Sequence, residues 1–242
     1  MKQHTLLAAS IALAVAFYWA SPAECSQDTG AAVPISSFAQ VPPVTDTMSL
    51  TLDYGSKAQT GQMAIADVLT YSGASPTITP PEGWTLIRDD SSPLTRQSLY
   101  WHVVEANDPG AQTWLFSEPV DAQGAVLLLD DVAETNPVDA SSGNIGHSGT
   151  LTANSVAAAS DGDLIIAFYA TNFAGAGLFG VGGIGSMIPV NTSIMVAQAL
   201  EPLEYWILAI DQSGNQDGGD TTCVTPQLFN WVAAQVAFKS AR

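Results

Sequence analysis

The stretch D46-T-M-S-L-T-L-D-Y54 alternates without a break: Met48, Leu50, Leu52 and Tyr54 fall on one side, Thr47, Ser49, Thr51 and Asp53 on the other. A period of two puts every second side chain on the same face of an extended chain, so this segment reads as a strand with one buried face. The same signature recurs downstream. QMAIADVLTY (62–71), WTLIR (84–88), QSLYWHVVEA (97–106), QTWLFS (112–117) and GAVLLLDDV (124–132) follow, then TLTANSVAA (150–158), DLIIAFYAT (163–171), NTSIMVAQAL (191–200), EYWILAID (204–211) and NWVAAQVAFK (230–239). Turn clusters such as NDPG (107–110) and ASDGD (159–163) separate them, and no long amphipathic helix competes. Ten or so short strands with Gly/Pro turns predict an all-β fold, a two-sheet antiparallel β-sandwich of jelly-roll-like form. No fixed-period repeat is visible, which excludes solenoids and propellers.

Ahead of this domain, assigned to 46–242, lie two other segments. Residues 1–23 have an early lysine, an apolar run from Leu6 to Ala20 and small residues at Ser21 and Ala23, the layout of a secretory signal peptide. The run is short for a membrane span, although an uncleaved N-terminal anchor is the rival reading. Residues 24–45 are rich in Gly, Pro and Ser without helical period and read as an extended lead-in. Export implies a secreted or cell-surface protein with no membrane span in the mature chain.

Hydrophobic residues make up 47% of the chain and charged ones only 12%, enough to fill one large core. With 23 acids against 6 Lys and Arg, the surface repels phosphate backbones, so nucleic acid is excluded as a partner. The only two cysteines, Cys25 and Cys223, are candidates for a disulfide in an oxidising compartment.

Trp84 follows the turn P80-P-E-G83. Pro81 fixes one φ there and Gly83 supplies backbone freedom. The ring either plugs the core or, with Trp101 and Trp114, offers an aromatic surface on which a sugar can stack. Past the signal only His102 and His147 remain, and no G-x-S-x-G elbow occurs, so a nucleophilic triad is not supported. Paired acids at 89–90, 130–131 and 201/204 are abundant by composition, and neighbours on a strand point to opposite faces. The loop D211-Q-S-G-N-Q-D-G-G-D220 places oxygen donors at Asp211, Ser213, Asn215, Asp217 and Asp220, making calcium the only cofactor suggested. It lacks the glycine and closing glutamate of a helix-loop-helix calcium site. NPVDASSGN (136–144) is a second loop with donors of the same kind. In the Gly-rich stretch 173–187, Phe173, Leu178, Phe179, Ile184 and Met187 either tuck under the sandwich or form a self-association patch.

The order of the Gly-Trp turn (83–84), the Asn-Pro-Val-Asp-Ala loop (136–140), the Ala-Ile-Asp-Gln segment (209–212) and the terminal strand opening with Trp231 resembles a β-sandwich module of bacterial secreted and cell-surface proteins. The likeness runs from about Gln62 to Phe238. It implies fold and location, and no catalytic residues. The expected function is a non-enzymatic extracellular binding or adhesion module for glycan or another surface polymer. The alternative is a structural subunit of a surface layer, filament or appendage that joins copies of itself through the N-terminal segment. A polysaccharide-active enzyme is the third reading.

Overall fold

A computed structural model of the chain describes residues 35–55, 58–71, 75–159, 163–171, 188–189, 194–198, 205–210 and 220–241. They contain twelve strands: β1 (Ile35–Asp53), β2 (Met63–Tyr71), β3 (Ile78–Thr79), β4 (Thr85–Ser91), β5 (Arg96–Val103), β6 (Ala111–Leu129), β7 (Val138–Ala153), β8 (Leu164–Thr171), β9 (Ile188–Pro189), β10 (Ile194–Gln198), β11 (Tyr205–Ile210) and β12 (Thr221–Phe238). They form two antiparallel six-stranded sheets. The first runs β1-β6-β2-β5-β4, with β3 on β6; the second runs β10-β11-β8-β12-β7, with β9 on β12. The molecule is an all-β sandwich. The chain completes the first layer before it starts the second, whereas a jelly roll is woven from two Greek keys.

The layers meet over Met63, Ile65, Leu69, Leu99, Leu127 and Leu129 of the first sheet and Leu164, Ile166, Phe168, Val232, Val236 and Phe238 of the second. Alternation leaves Ala64, Ala66 and Val68 of β2 on the opposite face of the first sheet, where water would meet them. Yet every residue of β2 is buried. What covers them is the sheet itself. A second core joins these residues to Leu50 and Leu52 at the end of β1, and to Trp114 and Phe116 at the start of β6. The register of β1 on β6 slips between Val41 and Val44, between Val44 and Thr47, and between Thr47 and Ser49. Such bulges bend a strand sharply. The distal arms of β1 and β6 therefore fold back over the outer face of β2 and β5.

Gly124 marks where the arm lands. Leu50 and Leu52 pair with Trp114 and Gln112 at the far end of β6. Even so, a Cβ on Gly124 would lie 3.0 and 3.1 Å from their Cδ2 atoms. Met48 is 50% exposed although it shares the alternation of Leu50 and Leu52, because it sits among the slips where the arm turns over.

Three stretches differ from the expectation. Residues 35–45, read as part of a lead-in, are strand β1 of the sheet itself and pair with β6. QTWLFS and GAVLLLDDV belong to one bent strand, β6. NPVDASSGN, read as a loop, leads directly into β7, and Asp139 there pairs with Lys239 at 3.6 Å.

Candidate functional site

The turn before β4 closes through Trp84 N–H donating to the Pro81 carbonyl at 3.3 Å, with Gly83 at φ +83°. It delivers Trp84 into the second core, where the ring is 6% exposed. Trp114 is fully buried, with its ring edge-on to Trp84 at 4.9 Å. A sugar ring thus has no face of either tryptophan to stack on. Trp101 is half-buried and packs against the core between the layers.

His102 stacks on Trp84 at 5.3 Å. Its Nδ1 meets the Gly83 carbonyl at 3.1 Å and its Nε2 meets Asp108 Oδ2 at 2.7 Å. The same carboxylate oxygen accepts the Glu105 N–H at 2.7 Å, tying the 105–108 turn to the strand. Both ring nitrogens thus lie within hydrogen-bond distance of oxygens on neighbouring turns. The histidine clamps two turns together.

Of the other residues singled out in the sequence, Asp220 is exposed and its Oδ1 accepts the Ser155 N–H at 2.8 Å. Asp211, Ser213, Asn215 and Asp217 lie outside the described residues, as do Cys25, Phe173, Leu178, Phe179, Ile184 and Met187. Cys223 is in β12, opposite Leu151 of β7 and Pro189 of β9. Among the described residues no cluster of three or more His, Cys, Asp or Glu could hold a metal ion.

The arrangement with recognisable chemistry is a groove that sequence reasoning missed. On the β4–β5 hairpin, Leu86 faces Tyr100, Asp89 faces Ser98 and Ser91 faces Arg96. Strict alternation would put Leu86 and Asp89 on opposite faces. A bulge that passes over Ile87 restores Asp89 to the side of Leu86, while Ile87 itself packs toward the interlayer core. The opposite wall is Ser75–Ile78, fixed by Thr77 N–H to Ser117 Oγ at 2.9 Å and Ser117 N–H to the Thr77 carbonyl at 3.1 Å. Between them lies an open groove of about 430 Å³, lined by Pro76, Ile78, Leu86, Asp89, Arg96 and Tyr100 among others.

Arg96 spans it. Its Nε and Nη2 donate to the two oxygens of Asp89 at 2.8 and 2.5 Å, and Nη1 donates to the Pro76 carbonyl. Ser98 Oγ adds a third bond to Asp89, at 3.1 Å. The Asp89 hydrogen bond pushes the Arg96 guanidinium pKa further up, and burial with Asp89 nearby pushes up the Tyr100 phenol. Tyr100 therefore stays a neutral donor, and Arg96 a fixed cation. A forked arginine–carboxylate pair is geometrically specific and holds its shape. Leu86, 50% exposed, forms an apolar lip beside it.

Asp89 and its neighbour Asp90 do not form a catalytic pair. Asp90 points to the other face and binds Arg88 through Oδ2 at 2.5 Å. Each carboxylate is committed to its own arginine.

No protein-family model, curated protein or solved structure matches this chain. Among the described residues no helix is long and apolar enough to cross a membrane.

Proposed function

We propose that the protein is a non-enzymatic extracellular binding module whose β4–β5 groove takes a short stretch of neutral glycan or a similar hydroxyl-rich surface polymer. The observation that carries this reading is the Asp89–Arg96 pair bridging the groove beside the exposed Leu86. A sugar hydroxyl both donates and accepts, so a fixed donor fork and acceptor set side by side match it. The apolar lip matches the C–H face of a pyranose ring. The strongly acidic composition argues for a neutral polymer over an anionic one. No carboxylate in the groove is free to act as a base, which supports binding over turnover.

A glycan array probed with the mature chain, with and without calcium, tests the proposal. Arg96→Met and Leu86→Ala are expected to weaken any captured glycan about tenfold or more while the thermal midpoint moves little. An array silent in both conditions, or binding unaffected by both substitutions, overturns it.

Assembly through the N-terminal segment is the competing reading. Residues 35–45 weigh against it, because they already pair with β6 of their own sheet. Pro42 and Pro43 also interrupt the free edge of β1. Size exclusion with and without residues 24–34 separates the two readings. A deletion-sensitive oligomer would favour assembly.

A further inference from the structure

The two sheets share one wiring. In the first, the order is β1-β6-β2-β5-β4 with β3 on β6; moving each label six places along the chain gives β7-β12-β8-β11-β10 with β9 on β12, which is the second. The agreement extends to register. Met63 pairs with Leu129, and so on to Thr70 with Ala122; Leu164 pairs with Phe238, and so on to Thr171 with Trp231.

Three of the irregularities coincide too, while the slips of β1 between Val41 and Val44 and between Val44 and Thr47 have no counterpart in β7. Ile35 pairs with Leu129 and Ser37 with Leu128, passing over Ser36; Val138 pairs with Phe238 and Ala140 with Ala237, passing over Asp139. Leu86 pairs with Tyr100 and Arg88 with Leu99, passing over Ile87; Met195 pairs with Leu208 and Ala197 with Ile207, passing over Val196. Between Thr47–Val120 and Ser49–Leu115 the ladder skips residues 116–119 of β6; between Ser148–Phe229 and Thr150–Val224 it skips 225–228 of β12. A shared strand order can arise twice. Three bulges at three matching places are hard to obtain independently, because each is a specific local departure from the ladder.

We infer that the chain is two copies of one six-stranded unit, and that the inner face of each is a docking surface whose partner is the other copy. The ends of the equivalent strands β6 and β12 meet where the relation would place its axis. Val132 bridges Ser240, and Ala241 N–H donates to the Asp131 carbonyl at 2.7 Å. The copies have diverged in chemistry. The counterparts of Leu86, Asp89 and Tyr100 are Met195, Gln198 and Leu208, so the acid of the Asp89–Arg96 pair is not repeated at the equivalent position of β10.

A two-fold relation makes a sharp demand on connectivity. Asp130–Pro137 carries the chain from Leu129 in one sheet to Val138 in the other, and the gap from Phe238 back to Ile35 must be the same. A circular permutant tests this. It begins at Val138, runs to Phe238, passes through a second copy of Asp130–Pro137 into Ile35, and ends at Val132. The expected result is one cooperative transition within about 5 °C of the wild-type midpoint and unchanged near-ultraviolet tryptophan dichroism. A second permutant, joined by about 20 Gly/Ser residues, guards against a linker that is simply too short. If only the long version folds, the gaps are unequal and the two-fold relation is wrong. If neither folds, the units are not interchangeable and the inference fails outright.

Discussion

Replacing Gly124 by alanine tests the claim that the first sheet folds over itself. In a flat, half-exposed sheet this change would help, because glycine inside a strand costs about 0.5–1 kcal/mol relative to alanine. Here the new Cβ would sit 2.7 Å from the Asp67 carbonyl oxygen and 3.0 Å from Leu50 Cδ2. The leucine tips can swing aside, but the Asp67 oxygen is backbone in β2, a strand with neighbours on both sides. The arm must lift. Overpacking of this kind costs about 1–3 kcal/mol, and partial exposure of Leu50 and Leu52 adds about another 1. The net expectation is a loss of about 2–4 kcal/mol. At about 2–4 °C per kcal/mol for a domain of this size, that is a fall of about 4–16 °C in Tm.

Urea unfolding followed by tryptophan fluorescence measures the change, with Gly110→Ala as the control. The nearest atom to a Cβ there is 3.5 Å away, so that variant should be neutral or slightly stabilised. The sign decides the matter. Gly124→Ala as stable as the control would refute the folded arm.

Trp114→Ala removes a fully buried indole from between Trp84 and Tyr100 and should cost about 3–5 kcal/mol; a denaturation curve shifted by less than about 1 would mean the arm is loosely packed. Tyr71→Phe should be neutral or stabilising at pH 7, since the buried hydroxyl has no hydrogen-bond partner among the described residues. Burial, and then Asp67, hold the Tyr71 pKa well above 10.0, so the native state keeps a proton that the unfolded chain gives up. Its contribution to stability is complete below pH 10 and declines above it, by about 1.4 kcal/mol per pH unit, until the folded-state pKa is reached. Alkaline urea titrations of the wild type should show this decline and those of Tyr71→Phe a shallower one; identical slopes would count against it. Gly143→Ala would drive a Cβ into the Arg88 guanidinium and Asp90, which lie against β7 at the edge of the sandwich. A loss of about 1–3 kcal/mol is expected, much of it absent in an Arg88→Ala background, as a double-mutant cycle would reveal.

Much of the fold was legible because burial here follows period two. The side of DTMSLTLDY that carries Leu50, Leu52 and Tyr54 is buried, and the turn that ends in Trp84 does feed a strand. The doubling-over was not legible, because it depends on bulges, and a bulge looks like ordinary sequence. Residues 118–123, Glu-Pro-Val-Asp-Ala-Gln, read as a break between two strands, yet they lie within one, β6, whose ladder with β1 skips 116–119. The groove was hidden for the same reason: without the slip at Ile87, Asp89 would not share a face with Leu86. The internal repeat is not legible in the sequence because its copies agree in geometry and hardly in residues. On the equivalent central strands β2 and β8 the identities are Ile65 with Ile166, Ala66 with Ala167 and Thr70 with Thr171. A sandwich constrains which positions are apolar far more tightly than which apolar residue occupies them.

The divergence of the two inner faces decides which units can dock on one another. On β2, Asp67 lies between Ile65 and Leu69 and so faces the other layer, 1% exposed, with Gln97 Nε2 donating to its Oδ2 at 2.7 Å. Gln123 lies on the same face of β6, also buried. The residues at the corresponding places in the second unit are Phe168 and Val232. Pairing two first units would confront a buried carboxylate with its own copy, and desolvation alone would cost several kcal/mol. Setting the polar face against the apolar one buries a single carboxylate already hydrogen-bonded within its own sheet. Exchange between molecules can therefore join only a first unit to a second, and the short Asp130–Pro137 connection already supplies that partner within the chain at high effective concentration.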